Sequence, residues 1–263
     1  MDQQVLLYGY SSVVIVVVLF CAMIAFNEVG FRAGRFVQAR TDSEFKSLTG
    51  SIQASILGLL ALLLGFTFSM SMQRYDNRSM ALIDEANTIG TAQLRAQLLP
   101  EQFREEAGSL LQQYTRLRVE IGQLDLTKAR ERNAYNVKIV DLQNRLWSLA
   151  VAATEVDPRP VTTGTFVTSL NDVIDSQGKR NALLQMQVPE VVLLLLFVVF
   201  ISSGGIMGYS AGLSGTRMFA PIALVSTLIA LIVFIIVDLD RPKRGLILVN
   251  QGPMVELLHE DVE

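Results

Sequence analysis

The sequence predicts an all-α integral membrane protein, with four transmembrane helices and a helical cytoplasmic region between the second and third. Three observations carry that reading. The 263 residues are 51% hydrophobic and only 18% charged. Four stretches, Val5 to Phe26, Ile52 to Met72, Val191 to Tyr209 and Phe219 to Val237, are nearly free of charge. Each is about long enough to cross a hydrocarbon core, which takes roughly 20 helical residues. Between the second and third of them, apolar residues recur at helical rather than strand spacing.

In hydrocarbon a spanning segment must satisfy its own backbone, so the β-branched run Val13 to Val18 is read as helix despite its strand propensity. No Lys or Arg precedes the first span, and Leu19 and Phe20 before Cys21 do not suit lipoprotein processing, so this helix is expected to be retained. Four crossings put both termini and the segment from Gln73 to Val188 on one side. That side carries Arg74, Arg78, Lys179, Arg180, Arg241, Lys243 and Arg244, against Arg32, Arg35, Arg40, Lys46 and Arg217 on the other. The excess of basic residues makes the long segment and the termini cytoplasmic.

The chain therefore divides into residues 1–72, the first two spans and their connection; 73–188, the cytoplasmic region; 189–237, the third and fourth spans; and 238–263, a cytoplasmic tail. From Arg74 to Arg180 there are fourteen basic and fourteen acidic residues, a balance that suits a soluble helical domain better than a polybasic lipid-binding tail. The periodic sets Leu82, Ala86, Ile89; Leu110, Leu111, Tyr114, Leu117, Ile121; and Ile139, Leu142, Leu146, Leu149, Ala150 predict helices near 74–98, 101–123 and 129–155. Pro100 and the Asp157-Pro-Arg-Pro run separate them, and a further helix is expected near 165–187. No proline lies between the second span and Leu99, so that membrane helix is expected to continue without a break. Pro189 and Glu190 suit the first turn of the third span.

Chemistry is sparse. There is no Gly-rich phosphate loop, no metal-binding His helix and no Gly-x-Ser-x-Gly turn, so no catalytic residue, cofactor or metal is expected. His259, the only histidine, stands near the end of a charged tail. A net charge of -3 argues against nucleic acid, which needs a basic surface to displace phosphate counterions. The adjacent acids Asp84-Glu85 and Glu105-Glu106 read as solvated helix faces.

Two features remain as candidate sites. On the second span, Ser55, Leu59, Leu62, Phe66, Ser69 and Gln73 follow at spacings of four and three, so they share one seam. The seam is small and polar at its ends and bulky and apolar in its middle, which suits a pore with wet vestibules and a dewetting constriction; ordinary helix packing would also fit. The second feature is a pair of clusters at the cytoplasmic mouth, Arg74, Asp76 and Arg78 after the second span and Asp238, Asp240 and Arg241 after the fourth. Unpaired charge near hydrocarbon is costly, so Arg74 or Arg78 is expected to meet Asp238 or Asp240.

The run Leu62-Leu-Leu-Gly-Phe66, then Arg74-Tyr-Asp-x-Arg78 and Glu85-Ala-Asn, resembles the second helix of bacterial bestrophins. With its Asp238-Leu-Asp-Arg-Pro-x-Arg-Gly245 ending, the chain most resembles a bacterial membrane family of unknown function described as bestrophin-like. Bestrophins are pentameric anion-selective channels with four transmembrane helices per subunit. The resemblance thus implies a homo-oligomer, a pentamer, in the bacterial inner membrane, passing small anions along the second helix. The chain departs from the bestrophin pattern in having one tryptophan, Trp147, and no acidic run like the calcium clasp of animal members. The alternative reading is a non-conducting scaffold or signalling subunit whose cytoplasmic helices bind a partner.

Overall fold

The computed structural model describes residues 10–123, 129–217, 219–242 and 245–258. Lys243, Arg244 and His259, together with the first residues of the Val5 to Phe26 span, lie outside the described residues. Eight α-helices are formed among the described residues: α1 (Ser12–Val37), α2 (Ser43–Ala96), α3 (Glu101–Gln123), α4 (Ala129–Val156), α5 (Thr165–Gln185), α6 (Glu190–Ser214), α7 (Phe219–Leu239) and α8 (Gly252–Glu256). No strand occurs among them. The protein is a membrane protein: α1, α2, α6 and α7 are long and apolar enough to cross a bilayer. At 54 residues α2 is far longer than a span requires, about 80 Å at 1.5 Å per residue.

The chain forms two compact units. One comprises the described residues of Met1–Arg74, Gln187–Arg241 and Gly245–Ile247. Its apolar core joins Ile15, Leu19 and Met23 of α1, Leu60 and Leu64 of α2, Leu193, Leu196 and Phe200 of α6, and Val233 and Ile236 of α7. The tightest packing is between α1 and α6, whose facing glycines bring the backbones almost into contact. A Cβ at Gly208 would stand 1.9 Å from the Asn27 carbonyl oxygen, one at Gly30 2.1 Å from the Gly205 carbonyl oxygen, and one at Gly212 2.3 Å from the Phe31 carbonyl oxygen. Asn27 Nδ2 donates to the Gly204 carbonyl at 3.0 Å, adding a polar tie to this seam. Close backbone approach is how helices gain packing where lipid tails are as apolar as the side chains.

The second unit comprises the described residues of Tyr75–Met186, Pro242–Arg244 and Leu248–Glu263. Its core draws Ala86, Ile89 and Ala92 from α2, Leu110, Leu111 and Tyr114 from α3, Ile139, Leu142 and Leu146 from α4, Phe166, Leu170 and Val173 from α5, and Met254 from α8. These are largely the residues that the helical spacing marks. The helix expected near 74–98 is the continuation of α2, and those expected near 101–123, 129–155 and 165–187 match α3, α4 and α5 closely.

The turn between α4 and α5 is closed by Asp157. Its carboxylate accepts from Arg159 Nε at 2.7 Å and Nη2 at 3.0 Å, and from the Thr162 hydroxyl at 2.6 Å. The Arg159 hydrogen bonds, then that of Thr162, hold the carboxyl well below the usual carboxylate range. A depressed folded value means the stabilisation is present above the unfolded pKa, near 4, and lost as pH falls toward the folded one. Asp157→Asn should therefore lower the melting temperature at pH 7, and the gap should narrow below about pH 4. A gap unchanged from pH 7 to pH 3 would show that the charge contributes nothing.

Candidate functional site

The face of α2 that carries the seam is bare in the single chain. Ser55, Leu59, Leu62, Phe66, Ser69 and Gln73 are all exposed, Leu62 at 54% and Phe66 at 61%. The buried residues of the same stretch, Leu60, Leu64, Thr67 and Ser71, lie on the other side of the helix, about 150° round at 100° per residue. Packing within the chain therefore does not account for the seam. Gly58 and Gly65, a heptad apart on its flank, have open space where a Cβ would stand.

The last residues of α7 and the chain after it form a buried polar knot. Asp238 is fully buried; its Oδ1 accepts from the Ser12 hydroxyl at 2.7 Å and its Oδ2 from the Ile247 amide at 2.9 Å. A Cβ at Gly245 would lie 2.6 Å from that same Oδ2, so any larger residue there would have to push the Asp238 carboxylate away from its partners. Asp240, also fully buried, accepts from the Val188 amide at 3.0 Å, just before α6, and stands 3.9 Å from Arg74 Nε. Arg241 Nη1 donates to the Tyr10 carbonyl ahead of α1. The Asp-Leu-Asp-Arg run thus ties the entries of α1 and α6, the end of α7 and the Arg74 turn of α2. Carboxylates holding several N–H and O–H donors are well suited to fixing chain ends that would otherwise leave backbone groups unsatisfied at this depth.

Of the expected cross-helix pairs, the structure brings together Arg74 and Asp240. Asp238 turns to Ser12 and Ile247. Arg78 serves the second unit, donating through Nε to the Leu183 carbonyl at 3.3 Å and through Nη2 to the Met186 carbonyl at 2.7 Å. Those carbonyls close the C-terminus of α5, where helix groups lack intrahelical partners and a cation is favoured. Asp76 is exposed.

The family model described as Bestrophin-like domain matches residues 7–254. The chain belongs to the bestrophin-like family. Its fold is similar to that of crystal structures of a bacterial bestrophin homologue from Klebsiella pneumoniae carrying single substitutions. Two of these give TM-scores of 0.67 and 0.65 at 12% and 13% identity, each covering 94% of this chain and 97% of that one. A third gives 0.61 at 16% identity, covering 96% and 97%. No curated protein matches.

This bestrophin-like chain also contains an ionic centre that the reading of Asp84-Glu85 as a solvated pair misassigns. Glu85, expected on a solvated face, is fully buried. Its carboxylate accepts from Arg118 Nε at 2.5 Å and Nη2 at 3.0 Å, and from Arg180 Nη1 at 2.7 Å. Arg180 Nη2 reaches Gln251 Oε1 at 3.0 Å, which ties the segment before α8 to the centre. Burial works against the Arg118 charge, but the Glu85 charge and hydrogen bonds outweigh it, and the guanidinium pKa is raised. Burial also pushes the nearby Tyr114 hydroxyl up. The signal in the sequence is register: Glu85 lies three residues after Leu82 and four before Ile89, on the apolar stripe, while Asp84 beside it faces outward to Lys179 at 2.9 Å.

Proposed function

We propose that this bestrophin-like protein is the subunit of a homo-oligomeric ion channel that passes small anions, with its constriction at Leu62 and Phe66. The observation that carries the reading is the bare α2 seam, polar at Ser55, Ser69 and Gln73 and apolar between. Bare Gly58 and Gly65 on its flank would let a neighbouring α2 approach closely while Leu62 and Phe66 turn to a shared axis. Neither side chain offers charge or a hydrogen bond, so an ion passing a ring of them must shed water, and closure needs only dewetting. Family resemblance favours a pentamer in the bacterial inner membrane, and the excess of basic residues favours a cytoplasmic side for the termini and the segment from Gln73 to Val188. The seam residues line the path, and the Arg74–Asp240 contact stands at its cytoplasmic mouth.

The test is halide flux from liposomes holding only the purified protein, read beside oligomer yield. Phe66→Ala should widen and wet the constriction, raising flux several-fold with assembly intact, and Leu62→Ala should act in the same direction. Leu64→Ala is the packing control: Leu64 is 7% exposed in the chain core, so its truncation should cost about 2–5 kcal/mol of stability and leave the pore profile alone. Unchanged flux with reduced assembly for Phe66→Ala would return the seam to packing. No flux from the parent protein would favour the scaffold reading.

A further inference from the structure

Beside the α6–α7 connection, α1, α6 and α7 leave a cavity of about 110 Å³. Its apolar lining includes Ile24, Phe31, Ile222 and Ala223, and Glu28 and Arg217 supply its charge. The Arg217 guanidinium lies 4.6 Å from the centre of the Phe31 ring, which fixes it over apolar surface. Glu28 Oε1 takes one of its five N–H donors, from Nη2 at 3.2 Å, and also accepts from Arg32 Nε at 2.9 Å. The Arg217 side chain is 64% exposed, which leaves it accessible to a further anion.

We propose that this cavity is a binding site for an anionic phospholipid, its phosphate on Arg217 and the upper part of one acyl chain among Ile24, Ile222 and Ala223. Three observations select this occupant. The cavity is far below the roughly 300 Å³ that a buried soluble ligand needs, and below the roughly 150 Å³ of an engineered apolar cavity that takes up benzene. It therefore suits a few methylenes of a chain whose remainder lies along the helices. It also sits where α6 ends and α7 begins, two bilayer-crossing helices beside α1, so a lipid brings phosphate and chain to the same depth as Arg217 and the apolar lining. Finally, the two connections on this side of the membrane carry five basic residues, Arg32, Arg35, Arg40, Lys46 and Arg217, against three acidic ones, Glu28, Asp42 and Glu44. An anionic headgroup complements that excess, and a zwitterionic one does not.

The test uses the purified, delipidated full-length protein and native mass spectrometry. Phosphatidylglycerol and phosphatidylcholine with identical chains are titrated separately, and glycerol 3-phosphate is added as a soluble competitor. The parent should retain phosphatidylglycerol several-fold over phosphatidylcholine. Arg217→Gln should lower phosphatidylglycerol retention about fivefold and leave phosphatidylcholine unchanged, the effect expected for one basic residue near an anionic surface. Ala223→Phe, which fills the cavity, should lower retention of both lipids, with Ala223→Leu as a milder variant should the first fail to assemble. Equal retention of the two lipids, an Arg217→Gln variant that binds like the parent, or displacement by glycerol 3-phosphate alone would overturn the proposal. The readout does not involve conduction, so it stands or falls apart from the channel reading.

Discussion

Glu85→Gln is expected to cost about 3–5 kcal/mol, because it leaves the Arg118 and Arg180 guanidiniums buried without their shared anion. Arg118 is 1% exposed and Arg180 4%, so water cannot replace the lost partner without opening the core. Against a typical total stability of 5–15 kcal/mol, that loss should show as a large fall in melting temperature and in yield of folded protein. The neighbouring pair gives the contrast. The side chains of Lys179 and Asp84 are 61% and 43% exposed, and Asp84→Asn should change stability by less than about 1 kcal/mol. The double variant Glu85→Leu with Arg118→Met should recover part of the loss, since a buried ion pair replaced by apolar groups of like volume is often tolerated. A Glu85→Gln protein that melts with the parent would mean the centre is hydrated and contributes little.

The second large effect is expected at Gly208. Even a methyl group there would meet the Asn27 carbonyl at 1.9 Å, a contact that only separation of α1 and α6 relieves. Because this backbone is held against a second backbone, no flexible side chain can give way. Overpacking of a core costs about 1–3 kcal/mol, so Gly208→Ala should fall in that range or above it, and Gly208→Leu should abolish the folded protein. Gly178 on α5 is the control. A Cβ there meets nothing within 4 Å, so Gly178→Ala should raise stability by roughly 0.5–1 kcal/mol through helix propensity alone. Thermal unfolding in detergent, followed by loss of the monodisperse peak on size exclusion, reads both. Equal melting of Gly208→Ala and the parent would show that the two helices can separate without loss.

How much of this was legible in the sequence depends on whether a feature is local. Long uncharged runs and the 3.6-residue spacing of Leu110, Leu111, Tyr114 and Ile139, Leu142, Leu146 are properties of short windows. They are enough to give the helices and most of the buried faces, because an apolar stripe has to be covered whatever covers it. The unbroken α2 was likewise readable, from the absence of proline between the second span and Leu99. Resemblance at residues 62–87 and 238–245 pointed to the family that the match over residues 7–254 shows.

Partners are a different matter, because they are set by which distant residues the fold brings close. The sequence offers small-residue stripes on α2 and on α6 alike, and only the tertiary structure decides that Gly204, Gly208 and Gly212 face another backbone while Gly58 and Gly65 face open space. It marks Asp238 and Asp240 as acids near basic residues, yet the choice of Ser12, Ile247 and Val188 as donors depends on where the entries of α1 and α6 meet the end of α7. Asp84 and Glu85 are neighbours of the same chemical type, and one side chain faces water while the other is enclosed by two arginines from α3 and α5. The sequence by itself determined the helices and their order, because hydrophobic burial and backbone satisfaction act within each segment. The tertiary structure decided the ionic pairs and the close contacts, because charge and steric exclusion act over a few ångströms between residues as far apart as Ser12 and Asp238.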